Sequence, residues 1–450
     1  MRALTSTERR PVPPPRGPGR LLAGLDLVSG TVSLAEHVEQ WGAPPAASAA
    51  TLIPALQASG LRGHGGAWFP VGDKWQSVAA NRRRRPVVVA NAAEGEPASA
   101  KDALLVSRVP HLVLDGASLA AQALRASRVV VYCPRRLVRG LEQSLAERRR
   151  AGLDPVDAEV VEAPDAFVAG QETAVVSALN RRPPVPTFAG LWPVRERGVG
   201  GQPTLVQNVE TLAHVALVAR FGPEWFRRVG TDRSPGTALF TVTGRWEGPS
   251  VVEAALGTDL ATVLELDDRT AGGYRAVLLG GYGGGWIAMD RALGMPLTEE
   301  AARERGTSLG AGVVALLPRD ACPLREVARV VRYMEGQGAG QCGPCVNGLA
   351  DLAVATASLA GGRGGGGRRQ VEQVLQLCDL VEGRGACRHP DGVARFVRTA
   401  FEVFGDDVAA HLGGRSCGGR DRHVLPVPEP DRHVLPVPGP DRQGRQVIGR

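Results

Sequence analysis

The first half of the chain alternates short apolar runs with helical segments, and this alternation limits the fold more than any other feature. The runs at residues 86–93 (PVVVANAA) and 128–133 (RVVVYC) have the length and β-branched content of buried strands. Apolar residues that begin at a proline predict a helix over residues 110–125, and mixed charges predict an exposed helix over residues 135–151. Strands that alternate with helices form a largely parallel sheet. The sequence therefore predicts an α/β domain.

The pattern changes after residue 235. Strand-like runs at residues 237–244, 275–281 and 310–318 predict a small β-rich domain, and helical patterns then continue to about residue 404. The last segment contains the tandem repeat DRHVLPVPEP and DRHVLPVPGP, whose alternating prolines favour an extended tail. We predict a disordered N-terminus, an α/β domain, a β-rich domain, a helical domain and a low-complexity tail, over residues 1–20, 21–235, 236–320, 321–412 and 413–450.

Composition excludes several classes of protein. Hydrophobic residues make up 43% of the 450 residues, which is enough for a folded core, and the net charge of +7 is small for this length. The short basic runs at residues 82–85 and 147–150 are typical of solvated faces, so no nucleic-acid partner is expected. No secretory signal and no transmembrane run is visible, and the seven cysteines are an odd number. We expect a cytoplasmic protein with reduced thiols.

Lysine is almost absent. Of 53 basic residues, only Lys74 and Lys101 are lysines, and both border the two loops that carry candidate ligand-binding residues. The first loop, GLRGHGGAWFPVGDKW at residues 60–75, exposes backbone N–H groups that can approach a phosphate or a planar ring. The second, ANAAEGEPASAKD at residues 90–102, follows a predicted strand at the end where open α/β sheets bind ligands. Alone, each is also compatible with a plain turn or a solvated acidic loop.

Two further segments begin predicted helices with polar side chains. Glu172 lies at the start of GQETAVVSALN, and Asn208 and Thr211 lie in QPTLVQNVETLAHV. Taken alone, each segment is typical of an ordinary helix N-terminus.

Three of the cysteines form a candidate metal site. Cys342 and Cys345 are spaced C-x₂-C, and Cys387 follows in a second glycine-containing segment. This spacing indicates iron–sulfur ligation, but His389 keeps a Cys₃His zinc site open, and so does an empty site. Cys378 falls on an apolar helix face and is interpreted as a core residue.

In this order, the motifs resemble the NADH-binding flavoprotein subunit of respiratory NADH–quinone oxidoreductase and the diaphorase subunits of NAD-linked hydrogenases and formate dehydrogenases. The resemblance runs from about residue 50 to about residue 410. It rests on the two loops above and on GQETAVVSALN, GQPTLVQNVETLA, GTSLGAGVVALLP and CGPC. It implies an FMN-binding α/β sandwich domain, a small ubiquitin-like β-grasp domain and a C-terminal helical bundle that carries one [4Fe–4S] cluster.

The resemblance also assigns individual residues, none of them catalytic, because the flavin carries the chemistry. The FMN site is expected to contain Gly63, Gly65, Gly66, Lys74, Asn91, Glu94, Asn208 and Thr211. The NADH site is expected to contain Phe69, Glu96 and Glu172, and the cluster ligands are Cys342, Cys345 and Cys387.

The chain departs from the family pattern at several positions. Ala93 replaces a pocket carboxylate, Gln171 and Gln207 replace family residues, and Ala339 replaces the first cluster cysteine. The family segment whose aromatic residue packs on the NADH adenine has no clear counterpart near residues 192–194. The flavin side of the pocket is therefore expected to be better preserved than the adenine and cluster sides.

The resemblance implies an FMN-dependent flavoprotein that oxidises NADH or NADPH and passes electrons through an iron–sulfur centre. The expected acceptor is a ferredoxin-like or membrane redox partner, which allows a location at the periphery of a membrane complex. The alternative is a non-catalytic binding or assembly module with an eroded NADH pocket and an incomplete or zinc-substituted metal site. Ala93 and Ala339 are the residues that favour this alternative.

Overall fold

The computed structural model describes most of the chain, namely residues 19–24, 30–81, 84–187, 193–362, 367–415 and 417–428. The predictions for residues 1–18, for Trp192 and for the second tail repeat lie outside the described residues.

The first unit contains a four-stranded parallel sheet of order β3-β2-β1-β4. Its strands are β1 (Val87–Asn91), β2 (Arg128–Pro134), β3 (Ala158–Ala163) and β4 (Thr204–Asn208). Side chains of β1 alternate between two hydrophobic clusters, with Val88 and Ala90 on one face and Val87 and Val89 on the other. A strand buried on both faces accounts for the continuous apolar run. The prediction of a parallel α/β sheet is confirmed.

In the part of the chain that the structure describes, eight α-helices surround or precede this sheet. They are α1 (Leu34–Trp41), α2 (Ala49–Ser59), α3 (Val71–Ala79), α4 (Lys101–Arg108), α5 (Pro110–Leu124), α6 (Arg135–Ala151), α7 (Glu172–Leu179) and α8 (Val209–Phe226). Helices α5 and α8 approach closely at Gly116, where a Cβ atom would stand 2.0 Å from the carbonyl oxygen of Leu212. Glycine is therefore required for this helix contact.

The second unit is a five-stranded mixed sheet of order β6-β5-β9-β7-β8. Its strands are β5 (Thr237–Thr243), β6 (Ser250–Ala255), β7 (Tyr274–Leu279), β8 (Gly285–Ala288) and β9 (Val313–Pro318). Four short helices connect them: α9 (Leu260–Val263), α10 (Asp268–Ala271), α11 (Met289–Ala292) and α12 (Glu299–Arg303). On β7, Val277 and Leu279 pack within this unit, whereas Ala276 and Leu278 pack against the C-terminal helices. Because successive side chains of a strand point to opposite faces, β7 contributes to two hydrophobic cores.

The described part of the C-terminal region consists mainly of helices. Its helices are α13 (Pro323–Gly336), α14 (Leu349–Ala360), α15 (Arg368–Val381), α16 (His389–Val403) and α17 (Gly405–Leu412). A short π-helix, Pro344–Gly348, precedes α14 and carries Cys345. Within the described ranges, no single helix is long and apolar enough to cross a membrane, although α4 and α5, bent by 94° at their junction, satisfy the length and composition criteria together.

Both ends of the described chain pack against the folded units. Arg20, within the segment predicted to be disordered, is 2% exposed and lies over the ring of Trp225. Residues 417–428, which include most of the first repeat, have no helix or strand but contact α13 through Leu425, which is 2% exposed. The described part of the first repeat is therefore docked on the protein.

Candidate functional site

The strand order places one crevice at the centre of the parallel sheet. The chain runs from β1 outward through β2 to β3 and then returns to the opposite side of β1 as β4. Ligands of open α/β sheets bind where the strand order reverses, outside the carboxyl ends of the strands. Asn91 and Asn208 end β1 and β4 and lie directly opposite each other in the register. The topology thus brings together residues that the sequence placed in separate motifs.

The glycine-rich loop closes one side of this crevice. It turns back on itself, with the N–H of Gly63 donating to the carbonyl of Phe69 at 2.9 Å. Its tip is fixed to α8, because the backbone N–H of His64 donates to the Thr211 hydroxyl at 2.9 Å. Gly66 has a φ of +104°, and a Cβ at this position would have no heavy atom within 4 Å. The loop therefore leaves open space at Gly66.

Asn208 joins the loop to the neighbouring helices. Its side-chain oxygen caps the N-terminus of α8, and its amide donates to Asp102 at 2.7 Å. A Cβ at Gly65 would stand 3.2 Å from the Cβ of Asn208, which is tighter than usual packing. Gly65 therefore permits the close approach between the loop and the end of β4.

A buried ionic network lies beneath the crevice. Glu210 accepts from His64 at 2.6 Å and from the backbone N–H of Leu239 at 2.8 Å, and it pairs with Lys101 at 2.8 Å. Lys101 also pairs with Asp102 at 2.8 Å. Because Leu239 is in β5, one fully buried carboxylate connects the glycine loop, α4 and the second sheet.

Glu210 and Lys101 are charged despite their burial. Desolvation opposes ionisation of Glu210, but His64 and Lys101 outweigh it and hold the pKa of this carboxyl well below its usual range. Burial likewise works against the ammonium of Lys101, yet Asp102 and Glu210 raise its pKa above the ordinary value. Opposite charges thus compensate the cost of burying both groups.

Lys74 lies at the rim of the same crevice. Its ammonium donates to the carbonyl of Val206 at 2.6 Å and pairs with Glu172 at 2.8 Å. The two side chains are 29% and 40% exposed, so this pair is open to solvent. Lys74 is therefore a partly solvated cation near the end of β4, which is suited to an anionic group.

Two other residues predicted for the flavin site hold neighbouring loops. Asn91 donates its amide to the carbonyl of Gly170 at 2.9 Å. Glu94 accepts from the Ser99 hydroxyl and from backbone N–H groups at the start of α4, those of Asp102 and Ala103. Glu94 thus acts as a cap of α4 and fixes the acidic loop.

The residues predicted for NADH differ in exposure. Phe69 is 55% exposed, whereas Glu96 is 8% exposed and accepts from the N–H of Tyr282 at 2.8 Å. Burial raises the pKa of Glu96 to about 7, against the backbone donors of Tyr282 and Ala98. Phe69 is the member of this set that presents an apolar face to solvent.

The donor set fits a flavin phosphate at one side of the crevice. The open space at Gly66 admits a planar group, and Lys74 supplies a cation near the end of β4. Trp68 does not point its polar edge into this space, because its indole N–H donates to the carbonyl of Gly310 at 3.1 Å. The residues present are thus compatible with FMN.

The predicted cluster cysteines lie near one another in the C-terminal region. Both Cys342 and Cys387 lie close enough to Cys345 to influence its pKa. Burial, followed by these neighbouring sulfurs, raises the pKa of Cys345 to about 12. His389, the alternative zinc ligand, bonds through Nε2 to the carbonyl of Met334 at 2.9 Å. A metal must therefore displace thiol protons when it binds here.

Two other groups meet a tighter geometric criterion. Among the described residues, the sets of three whose ligand atoms all lie within 4.8 Å of one another are Cys322, His411 and Cys417, and His64, Glu210 and His214. The three predicted cluster thiols are not one of these sets. Sequence reasoning assigned no role to Cys322 and Cys417, and it missed the network at Glu210. The rarity of lysine at Lys101 was the one signal of that network in the sequence.

Comparisons with known proteins extend over both functional regions. The family profile described as "Nuo51 FMN-binding domain" matches residues 56–217, and the profile described as "NADH-ubiquinone oxidoreductase-F iron-sulfur binding region" matches residues 325–411. These ranges contain the glycine loop with its crevice, and the cysteines at 342, 345 and 387.

Relatives match most of the chain. The NADH-quinone oxidoreductase F subunit of Mycobacterium bovis is 31% identical over 390 residues, which cover 81% of this chain and 85% of that protein. The corresponding F subunit of Streptomyces coelicolor is 30% identical over 388 residues, with coverage of 81% and 84%.

A solved structure has the same fold. The crystal structure of an NAD⁺-reducing [NiFe]-hydrogenase in the air-oxidised state aligns with a TM-score of 0.74 and 29% identity, over 82% of this chain. The chain spans 64% of that hydrogenase chain. The family resemblance found in the motifs is confirmed: this chain belongs to the family of NADH-quinone oxidoreductase F subunits.

Proposed function

We propose that the chain binds FMN in the crevice between β1 and β4 and uses it to oxidise a reduced nicotinamide nucleotide. The observation that carries this proposal is the register of Asn91 opposite Asn208 at the reversal of strand order, beneath a glycine loop that is open at Gly66. Membership of the F-subunit family supports the same reaction.

Four residues would contact the flavin nucleotide directly. Gly66 would lie against the ring system, Lys74 would bind the phosphate, and Asn91 and Asn208 would offer amides at the strand ends. Gly63, Gly65, Glu94 and Thr211 would position the loops, as their contacts with neighbouring backbone and side chains indicate. When bound, FMN would supply hydride acceptance and single-electron release.

The nicotinamide nucleotide would approach from the exposed side of the loop. Phe69 would provide an exposed apolar surface for the nucleotide. Glu172, held by its ion pair with Lys74, would offer a carboxylate on the same side. Glu96 would act on this side through Tyr282 rather than by direct contact, because its side chain is buried and accepts from that backbone N–H.

Electrons would leave through a metal centre in the C-terminal helices. Cys342, Cys345 and Cys387 would supply three thiolates of a [4Fe–4S] cluster, with Ala339 at the position of the missing fourth. In this proposal residues 21–235 are the flavin domain, residues 236–320 a β-grasp domain and residues 321–412 the cluster-binding bundle. The electron acceptor would be a ferredoxin-like or membrane redox protein.

The test is anaerobic reduction of the FMN-loaded protein. We expect one equivalent of NADH or NADPH to bleach the visible flavin absorption. Dithionite, which reduces any bound flavin, should bleach it whether or not the nucleotide does. Flavin that dithionite reduces but neither nucleotide reduces would refute the dehydrogenase function. Protein that stays colourless after reconstitution with FMN, iron and sulfide would instead support the non-catalytic module, which Ala93 and Ala339 favour.

A further inference from the structure

A second group of metal-ligand side chains lies apart from the predicted cluster cysteines. Cys322 precedes α13, His411 lies in the last turn of α17, and Cys417 follows that helix. Cys322 is 2% exposed and His411 is 8% exposed. Two sulfurs and one imidazole thus meet in a largely buried position and share no residue with the proposed iron–sulfur site.

The distances match those of a tetrahedral thiolate–imidazole site. The Sγ atoms of Cys322 and Cys417 are 3.4 Å apart, and Sγ of Cys322 is 3.5 Å from Nε2 of His411. Zinc bonds of about 2.3 Å to sulfur and about 2.0 Å to nitrogen place two sulfurs roughly 3.8 Å apart and a sulfur–nitrogen pair roughly 3.5 Å apart. A small adjustment of one thiol therefore completes three corners of a tetrahedron.

The backbone holds these ligands together from distant parts of the sequence. Arg420 pairs with Ala321 as an isolated parallel bridge, and the N–H of Cys322 donates to the carbonyl of Arg420 at 2.9 Å. A Cβ at Gly419 would stand 2.6 Å from the Cα of Cys322. Only glycine permits this approach, so the segment that carries Cys417 is fitted against Cys322.

We propose that Cys322, His411 and Cys417 bind a zinc ion, separate from the iron–sulfur centre, that fastens the C-terminal segment to the helical region. Binding converts two thiols to thiolates and releases two protons, with no change of oxidation state. A water molecule or a further group would occupy the fourth position. Zinc fits two soft sulfurs and one imidazole in tetrahedral geometry better than magnesium or calcium, which prefer oxygen ligands.

The proposed ion would stabilise contacts that extend to the NADH side of the molecule. Downstream of Cys417, the N–H groups of Val424 and Leu425 donate to Glu326 at 3.1 Å each. The next residue, Pro426, accepts from the hydroxyl of Tyr282 at 2.6 Å, and the backbone N–H of Tyr282 holds Glu96. A fixed Cys417 therefore restrains the segment that reaches this tyrosine.

The experiment uses Co²⁺ as a spectroscopic probe in the full chain. The background variant C342S/C345S/C387S removes the other clustered thiols, and the protein is purified anaerobically and treated with a chelator. We expect one equivalent of Co²⁺ to give a thiolate-to-cobalt charge-transfer band that Zn²⁺ abolishes. Adding C417S or H411A should remove the band, whereas C378A, which changes a buried cysteine of α15, should retain it.

A second measurement does not require the background variant. Native mass spectrometry of the otherwise unaltered chain should find one zinc that C417S lacks, and trypsin should cut after Arg420 and Arg422 faster once the metal is removed. A cobalt band that persists in both ligand variants would overturn the proposal. So would equal zinc content in the wild type and C417S, or a Cys322–Cys417 disulfide in anaerobically purified protein.

Discussion

Glu210 determines how the residues of the crevice are held relative to one another. It is fully buried and contacts His64, Lys101 and the backbone of Leu239. Removal of one partner from a buried ionic network leaves uncompensated charge, which is more damaging than loss of a surface ion pair.

The variant E210Q keeps the shape of the side chain and removes its charge. We expect it to lower the free energy of unfolding by about 3–5 kcal/mol, because the buried ammonium of Lys101 loses a counter-charge and His64 loses its carboxylate partner. Urea denaturation measures this difference, with E247Q as the control at an exposed glutamate. Equal losses in the two variants would show that the network contributes nothing specific.

Glu96 makes stability depend on pH. Its pKa is raised to about 7 in the folded chain, above the value of about 4.3 in an unfolded chain. The folded state thus holds a proton that the unfolded state has lost between these values, so stability falls as pH rises through this window. We expect wild-type stability to drop by roughly 3 kcal/mol relative to E96Q between pH about 4 and about 8. Parallel pH profiles of the two proteins in urea denaturation would contradict this assignment.

Some residues of the candidate sites could be predicted from the sequence and others could not. Lys74 and Lys101 were noticed because lysine is so rare, and both make ion pairs at or beneath the crevice. Cys322, His411 and Cys417 were missed, because contacts between distant segments bring them together and their spacing follows no short motif. The burial of Glu96 was also hidden, since the sequence suggested a loop carboxylate free to meet a ligand.

At the scale of elements, buried strands were the easiest to predict. The runs of valine at β1 and β2 gave nearly the observed bounds, because these strands are covered on both faces. Strand β4 was interpreted only as the start of a helix, since TLVQN is short and runs directly into α8. Helix α4 was not predicted either, because it begins at the end of the acidic loop, is short and is followed directly by α5.

Two glycines in helices test the packing of these elements. G116A should lower the free energy of unfolding by about 1–3 kcal/mol, because its methyl group would collide with the backbone of α8. G140A, on the exposed face of α6 with no atom nearby, should instead raise it by about 0.5–1 kcal/mol. Thermal denaturation of the two variants checks the opposite signs. A destabilised G140A or an unaffected G116A would contradict this packing.

At the scale of the whole molecule, the second sheet lies between the first unit, which contains the parallel sheet, and the C-terminal helices. One face of β7 and β9 packs within the sheet's own unit and the other packs on α13, α14 and α16. The order of strand-like and helical patterns along the sequence predicted three folded regions. It did not predict that Leu425 of the first tail repeat would pack into the core shared by the second sheet and the C-terminal helices.

Because the first repeat is docked, we expect a substitution near the end of the described chain to lower the stability of the whole protein. L425A should destabilise the protein by about 2–5 kcal/mol, because it leaves a cavity against α13. H423A, which changes an exposed side chain two residues earlier, should change stability by no more than about 0.5 kcal/mol. Guanidinium denaturation of both variants distinguishes a docked segment from a free tail, for which the two variants would behave alike.

The central claim is that the crevice beneath the glycine loop holds FMN, and equilibrium titration with FMN tests it most directly. We expect one FMN per chain, and about 10- to 100-fold weaker binding in K74M because a charge-assisted bond to the phosphate is lost. The Lys74–Glu172 pair is solvent-exposed, so K74M should remain folded, and E172Q, which removes only the partner of Lys74, should bind at least as tightly as the wild type. No saturable FMN binding by the folded wild-type chain, or equal affinity in the wild type and K74M, would contradict the account.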